Sequence, residues 1–161
     1  KYNINTVNKH KIDTIEILLE SVDEIPNSIV LAQAANESGW GTSRFAKEFN
    51  ALFGEYTFDT DSGVAPISRN EGEKHLIKFF PNIDESIKSY FNNLNTHKAY
   101  KKFRSSRREL REINLALDPM ILVRYLKPYA KDKNYVNNIK SIIKTNQLNK
   151  FDSLKIITTK S

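Results

Sequence analysis

A chain of 161 residues with 39% hydrophobic and 11% aromatic content has the length of one domain and enough apolar material for its own core. Its 25 Lys and Arg against 19 Asp and Glu leave a formal net charge of +6, which suits a polyanionic partner: nucleic acid, an anionic membrane surface or an acidic wall polymer. No apolar run approaches the ~20 residues of a membrane-spanning helix, and without cysteine no disulfide indicates a compartment.

Residues 1–10 are polar, without a period or a signal-peptide-like apolar stretch, and are expected to be peripheral. Ile12, Ile15, Leu18, Leu19 and Val22 then recur at helical spacing and predict a helix over about 11–22, with the next helix as its partner. Pro26, Asn27 and Ser28 are initiators for that next helix. Ile29, Val30 and Leu31 anchor it, and Ala32, Ala34 and Ala35 let neighbours approach before Glu37 and a stop at Gly39. Thr42 or Ser43 can cap a short helix through Phe45, Ala46 and Phe49, which leaves by the turn at 50–54. Between Glu55 and Phe80 the period changes: two β-prone stretches flank a segment rich in turn residues, predicting an irregular lobe of two or three strands.

Asn82 with Glu85 is a capping-box pattern opening a helix through Ile87, Tyr90, Phe91 and Leu94. A helix over about 98–113 carries Tyr100, Phe103, Leu110 and Ile113 on one side and Lys101, Arg104, Arg108 and Arg111 on another, the latter expected to be a solvated cationic stripe. Asp118-Pro119 supplies a cap and first-turn proline for a further helix, and a last one from about 132 puts Tyr135, Ile139, Ile142 and Ile143 on a core face. Residues 149–161 are expected to be peripheral, with Ile156-Ile157 as a possible edge strand. There is no internal repeat or linker. The sum is one mainly helical α+β domain with a small β-lobe.

Glu37 carries the chemistry. Near a helix C-terminus the negative end of the macrodipole disfavours a carboxylate, and the apolar surroundings of its helical face do the same, so the protonated acid is favoured. A lone glutamate near a helix end is ordinarily a solvated surface residue, and spacing alone does not assign it a reaction. The wider motif does. The run Leu31-Ala32-Gln33-Ala34-Ala35-Asn36-Glu37-Ser38-Gly39-Trp40-Gly41-Thr42-Ser43, then Phe45-Ala46 and Asn50-Ala51-Leu52-Phe53-Gly54, resembles the signature of the glucosaminidase family of peptidoglycan hydrolases, and its Bax-type branch most. The segments 79–90 and 128–135 resemble the family's later motifs, so the resemblance spans roughly residues 12–148.

The resemblance implies a lysozyme-like helical body with a cleft bordered by the β-lobe, and an endo-β-N-acetylglucosaminidase cutting glycan strands after N-acetylglucosamine. Glu37 would be the general acid, since the leaving oxygen needs a proton. Glu55, Asp59, Asp61, Glu71 and Glu73 are the lobe carboxylates; order in the chain favours Glu71 and then Glu73 as the second acid, with help from the substrate's N-acetyl group as the alternative. Trp40, Phe53, Tyr56 and Tyr129 could stack on pyranose faces, the tyrosines adding hydroxyl contacts. Ser38 and Asn50 complete the expected substrate-binding set. Tyr129 matches the family's cleft tyrosine, whereas Tyr135 is expected to pack. No metal is expected, because His10, His75 and His97 are isolated, and no cofactor motif is present. The implied partner is peptidoglycan rather than nucleic acid, the location the cell envelope, periplasmic or secreted, and the state a monomer. A muramidase or lytic transglycosylase of the same fold, or a catalytically weak glycan-binding module, are the alternatives.

Overall fold

The computed structural model describes residues 11–66, 72 and 74–154. Its helical body contains α1 (Lys11–Ser21), α2 (Asn27–Ser38), α3 (Arg44–Phe49), α4 (Ile83–Thr96), α5 (Lys101–Glu112), α6 (Pro119–Leu122) and α7 (Tyr135–Thr145). Single 3-10 segments precede α5 at Lys98–Tyr100, follow α6 at Val123–Tyr129 and follow α7 at Leu148–Phe151. The lobe holds β1 (Tyr56–Thr57), β2 (Gly63–Val64) and β3 (Leu76–Lys78), antiparallel in the order β1-β3-β2. A mainly helical α+β fold is what the residue pattern predicts.

The local start and stop signals act as written. Ser43 Oγ accepts from Ala46 N, Asn82 Oδ1 from Glu85 N and the Asp118 carboxylate from Met120 N. Gly39 ends α2 in the left-handed region at φ 57°, where its missing Cβ removes the usual steric penalty. The start of α2 is different, for its cap comes from the far end of the chain. Asp152 accepts from Ser28 N at 2.7 Å and Ser28 Oγ at 2.8 Å, and Asn27 Nδ2 donates to Phe151 O at 2.8 Å. A carboxylate there also meets the positive end of the helix dipole. Residues 148–152 are therefore docked on α2 and not peripheral as expected; Ile156-Ile157 and residues 1–10 lie outside the described residues.

The core is built on α2. Ile29 and Ala32 are fully buried with Ile139 and Ile143 of α7 and with Leu122, Val123 and Leu126, and the small Ala32 gives its neighbours a close approach. Each fully buried branched side chain stabilises the fold by about 1.5–3 kcal/mol. α1 departs from expectation. It packs on α5 and α4 rather than on α2, and Ile15, Leu18, Leu19 and Val22 are substantially exposed.

The cationic stripe of α5 is also not a free surface. Arg104 is buried and donates to the carbonyls of Leu94 and His97 at the end of α4. Arg111 pairs with Asp23 at 3.0 Å and Glu24 at 2.6 Å, and Arg108 with Glu112 at 2.8 Å. Arg107, fully buried, donates to the carbonyls of Glu20, Asp23 and Glu24. Burial lowers its pKa to about 10 against the opposing charge of Asp23. Arg107 and Arg111 thus close the junction between α1 and α2 and Arg104 the end of α4, while Lys101 stays exposed and Arg108 and Arg111 keep about half of their side-chain surface.

Backbone bonds hold the lobe together, Lys78 N donating to Glu55 O and Phe79 N to Ser62 O, and Phe80 N fixes it to the body by donating to Phe49 O of α3. Gly63 is required by close approach, since a Cβ there would lie 2.6 Å from both Leu76 Cβ and Thr57 Cγ2. Gly63→Ala is expected to loosen the lobe selectively, seen as faster amide exchange at Leu76–Lys78 with the helices unaffected.

Candidate active site

Glu37 occupies the last turn of α2, half-buried, just before the left-handed Gly39 and a second left-handed residue, Trp40 at φ 59°. Ser38 makes this turn. Its hydroxyl donates to Ala34 O at 2.6 Å and accepts from Gly41 N at 2.7 Å, so the chain reverses directly beneath the carboxyl group. Across from it runs Gly54, at φ +60°, where a Cβ would stand 3.6 Å from Glu37 Oε2. Lacking a side chain, Gly54 places nothing but backbone against that side of Oε2.

Asn36 Nδ2 donates to Oε1 at 3.1 Å, and the Tyr135 hydroxyl, held by Gln33 Nε2, lies near enough to favour the charged form of the carboxyl. Desolvation is the largest influence on Glu37 and raises its pKa; the bonds from Tyr135 and Asn36 favour the charged form and oppose it. A carboxyl group that holds its proton above the usual range, yet has donors ready for the carboxylate, is equipped to give a proton and survive its loss. Behind it lies an aromatic floor. Phe53 stacks on Tyr90 at 4.1 Å between centroids, Tyr129 on Tyr135 at 5.7 Å, and Tyr100 lies 6.1 Å from Tyr129.

With this geometry in place, comparison with known proteins is decisive. Residues 15–148 match the glucosaminidase family, described as mannosyl-glycoprotein endo-beta-N-acetylglucosaminidase. The chain belongs to the glucosaminidase family. It is 40% identical over 131 residues to the protein Bax of Escherichia coli (strain K12), an alignment covering 81% of this chain and 46% of Bax, so the chain spans about half the length of that relative. The catalytic domain of the autolysin Auto from Listeria monocytogenes has the same fold, with a TM-score of 0.58, 19% identity, and coverage of 93% of this chain and 92% of that one.

In this glucosaminidase-family chain several expected substrate contacts hold the fold instead. Ser38 is 2% exposed with its hydroxyl engaged in the turn, and Phe53, also 2% exposed, has no face left for a sugar. The Tyr129 hydroxyl, expected in the cleft, donates to Phe53 O at 2.9 Å. Tyr129→Phe should therefore lower stability by about 1 kcal/mol, measured by urea denaturation, because Phe53 O loses its donor. Asn50 Nδ2 donates to Phe80 O at 3.0 Å and joins α3 to the lobe. Trp40 and Tyr56 keep the open rings that stacking needs, 62% and 63% exposed, with Tyr56 lying 4.3 Å from the His75 ring. Phe58, 78% exposed on the lobe, is a further open ring that periodicity had no means of singling out.

The lobe carboxylates divide. Glu71 and Glu73 lie outside the described residues. Asp59 organises its own turn, accepting from Asp61 N and Ser62 Oγ, and the Ser62 bond is the first cause of its lowered pKa. Asp61 is exposed. Glu55 turns into α4: Oε2 accepts from Ser89 Oγ at 2.9 Å, while Oε1 is buried without a hydrogen-bond partner. Burial raises its pKa, opposed by Ser89 and by Lys78. A folded-state pKa above the ordinary 4.5 means that ionising Glu55 costs more in the fold than in the unfolded chain, so stability falls as pH rises past about 4.5. Glu55→Gln should raise the melting temperature at pH 7 and lose that advantage below about pH 4.5.

The main omission of the sequence reading is Tyr135. Its register with Ile139, Ile142 and Ile143 pointed to packing, and the ring is indeed 2% exposed, but its hydroxyl reaches Glu37. Gln33 was the available signal. A glutamine one turn before Glu37 on an otherwise apolar helix must find partners, and buried tyrosine hydroxyls are the natural ones.

Proposed function

We propose that the protein is a peptidoglycan hydrolase, an endo-β-N-acetylglucosaminidase that cleaves the glycan strand after N-acetylglucosamine, with Glu37 as general acid. The observation that carries this reading is the Glu37 carboxyl itself, its pKa raised by burial, its Oε1 bonded to Asn36, Tyr135 favouring its charged form and its Oε2 beside the side-chain-free Gly54. Cleavage expels an alkoxide through an oxocarbenium-like transition state, and a protonated Glu37 supplies the proton to the leaving oxygen. Trp40 and Tyr56 would stack on the sugar rings. Glu71 or Glu73 would steady the developing cation or activate water, with the substrate's own N-acetyl group as the other source of that help. Such a substrate places the protein in the cell envelope, and the charge of +6 suits an anionic wall.

Digestion of purified peptidoglycan followed by mass spectrometry of the fragments tests the reading. Reducing N-acetylglucosamine ends are expected. Reducing N-acetylmuramic acid or anhydro ends would assign the other linkage to the same site, and retention on peptidoglycan without any fragment would leave a glycan-binding module.

A further inference from the structure

A series of hydrogen bonds runs from Tyr90 in the interior of the helical body through Gln33 to Tyr135, toward Glu37. Gln33 is fully buried and lies one turn before Glu37 on α2. Its Oε1 accepts from the Tyr90 hydroxyl at 2.7 Å, and its Nε2 donates to the Tyr135 hydroxyl at 2.7 Å. The two ends of an amide are not interchangeable, because only the oxygen accepts and only the nitrogen donates. Tyr90 is itself fully buried, so its proton needs an internal acceptor, and Gln33 Oε1 is the one it has. That bond fixes which way the Gln33 amide faces. Nε2 is thereby turned to Tyr135, where it occupies a lone pair of the hydroxyl and leaves the hydroxyl proton for the group on the other side. Glu37 stands one turn after Gln33 on the same face of α2, and the Tyr135 hydroxyl and the Glu37 carboxyl each act on the other's ionisation.

We propose that Gln33 is a positioning residue that aims the Tyr135 hydroxyl proton at Glu37, and so steadies the carboxylate that Glu37 forms. The inference deepens the proposed function and rests on Glu37 being the acid of that reaction. Turning the amide over would set its oxygen against Tyr135 and draw the hydroxyl proton away from Glu37, while stranding the proton of Tyr90. Both losses occur in a low-dielectric interior, where an unpaired polar group is costly and a chain of bonds strengthens its members. The device serves the moment after proton transfer. Burial alone would hold the proton on Glu37 too tightly, and a directed donor stabilises the carboxylate as it forms. The titratable groups facing Glu37 are Tyr135 from α7, Tyr90 from α4, and Tyr100 and Tyr129 from the neighbouring 3-10 segments, and burial keeps all four neutral through the physiological range. Glu55 acts on Tyr90, Tyr100 and Tyr129 as well.

The test reads Glu37 directly, by carbon NMR titration of protein labelled at the glutamate side-chain carboxyl, with no substrate present. Tyr135→Phe should raise the Glu37 midpoint by about half a pH unit or more, because a donor to the charged form is lost. Gln33→Met should raise it too, and the double variant should match Tyr135→Phe alone, since Gln33 acts only through that hydroxyl. Tyr90→Phe, which keeps the ring that stacks on Phe53, is a milder variant two bonds back along the series and should shift the midpoint in the same direction. An unmoved midpoint in folded Gln33→Met or Tyr90→Phe, or shifts that add in the double variant, would overturn the proposal. The alkaline limb of the hydrolysis profile should follow the midpoint. A midpoint that moves under a fixed alkaline limb upholds the role of Gln33 and removes Glu37 as the acid.

Discussion

Glu37→Gln is expected to remove nearly all hydrolysis of purified peptidoglycan while the protein stays folded. The amide keeps the size of the side chain and can still accept from Asn36, but it carries no transferable proton. General acid catalysis is typically worth about 10²–10⁴-fold, and the loss should fall in or beyond that range. The same substitution should leave the melting temperature at pH 7 equal or higher. Burial raises the pKa of Glu37 above its ordinary 4.5, so ionisation at neutral pH opposes folding, and a neutral amide escapes that penalty. As pH falls past about 4.5 the wild-type carboxyl becomes neutral in both states and the difference should close. A folded variant that retained more than about half of wild-type reducing-end release would remove Glu37 from the chemistry.

The largest loss of stability is expected at Arg107. Methionine there would fill much of the space, yet the carbonyls of Glu20, Asp23 and Glu24 would lose their donor and Asp23 its nearby guanidinium, 3.5 Å away. An acceptor left buried without its donor costs about 1–3 kcal/mol, so three such carbonyls amount to a large part of the 5–15 kcal/mol that holds an ordinary domain together. The urea midpoint of Arg107→Met should fall accordingly. Arg107→Lys should recover little, because one ammonium on a flexible stem cannot present the planar fork that reaches three carbonyls. A midpoint within about 1 kcal/mol of wild type would mean that water replaces the guanidinium at that junction.

Which features were legible in the residue pattern follows from how far their causes lie apart along the chain. Ser43, Asn82 and Asp118 cap helices two or three residues away, and Gly39 stops the helix it ends, so each is visible in a short window. The lobe was visible as a change of period. Arg104 looked like a member of a solvated face, and Arg107 was not singled out, because sequence shows a charge but not the distant carbonyls that meet it. The apolar stripe of α1 obeyed the helical period and still came to rest largely at the surface, since amphipathicity orients a helix only when a partner covers the stripe. At the candidate site, Glu37 was singled out through its motif, whereas Tyr129 and Tyr135 exchanged their expected places: the first is tied to Phe53 O and the hydroxyl of the second acts on Glu37. Two tyrosines six residues apart differ only in where a hydroxyl points, and side-chain direction is a property of the packed interior.

The latch between Asp152 and the start of α2 bears on where this unit can be cut. Similarity to the glucosaminidase family ends at residue 148, and trimming to that limit would discard Asp152 together with Phe151, which accepts from Asn27. The loss would be felt 124 residues upstream, at the first turn of the helix whose last turn carries Glu37. Natural recombination or laboratory grafting at the homology limit would thus transplant every recognisable motif and leave the helix that carries Glu37 unfastened, whereas a cut a few residues later would carry the fastening along.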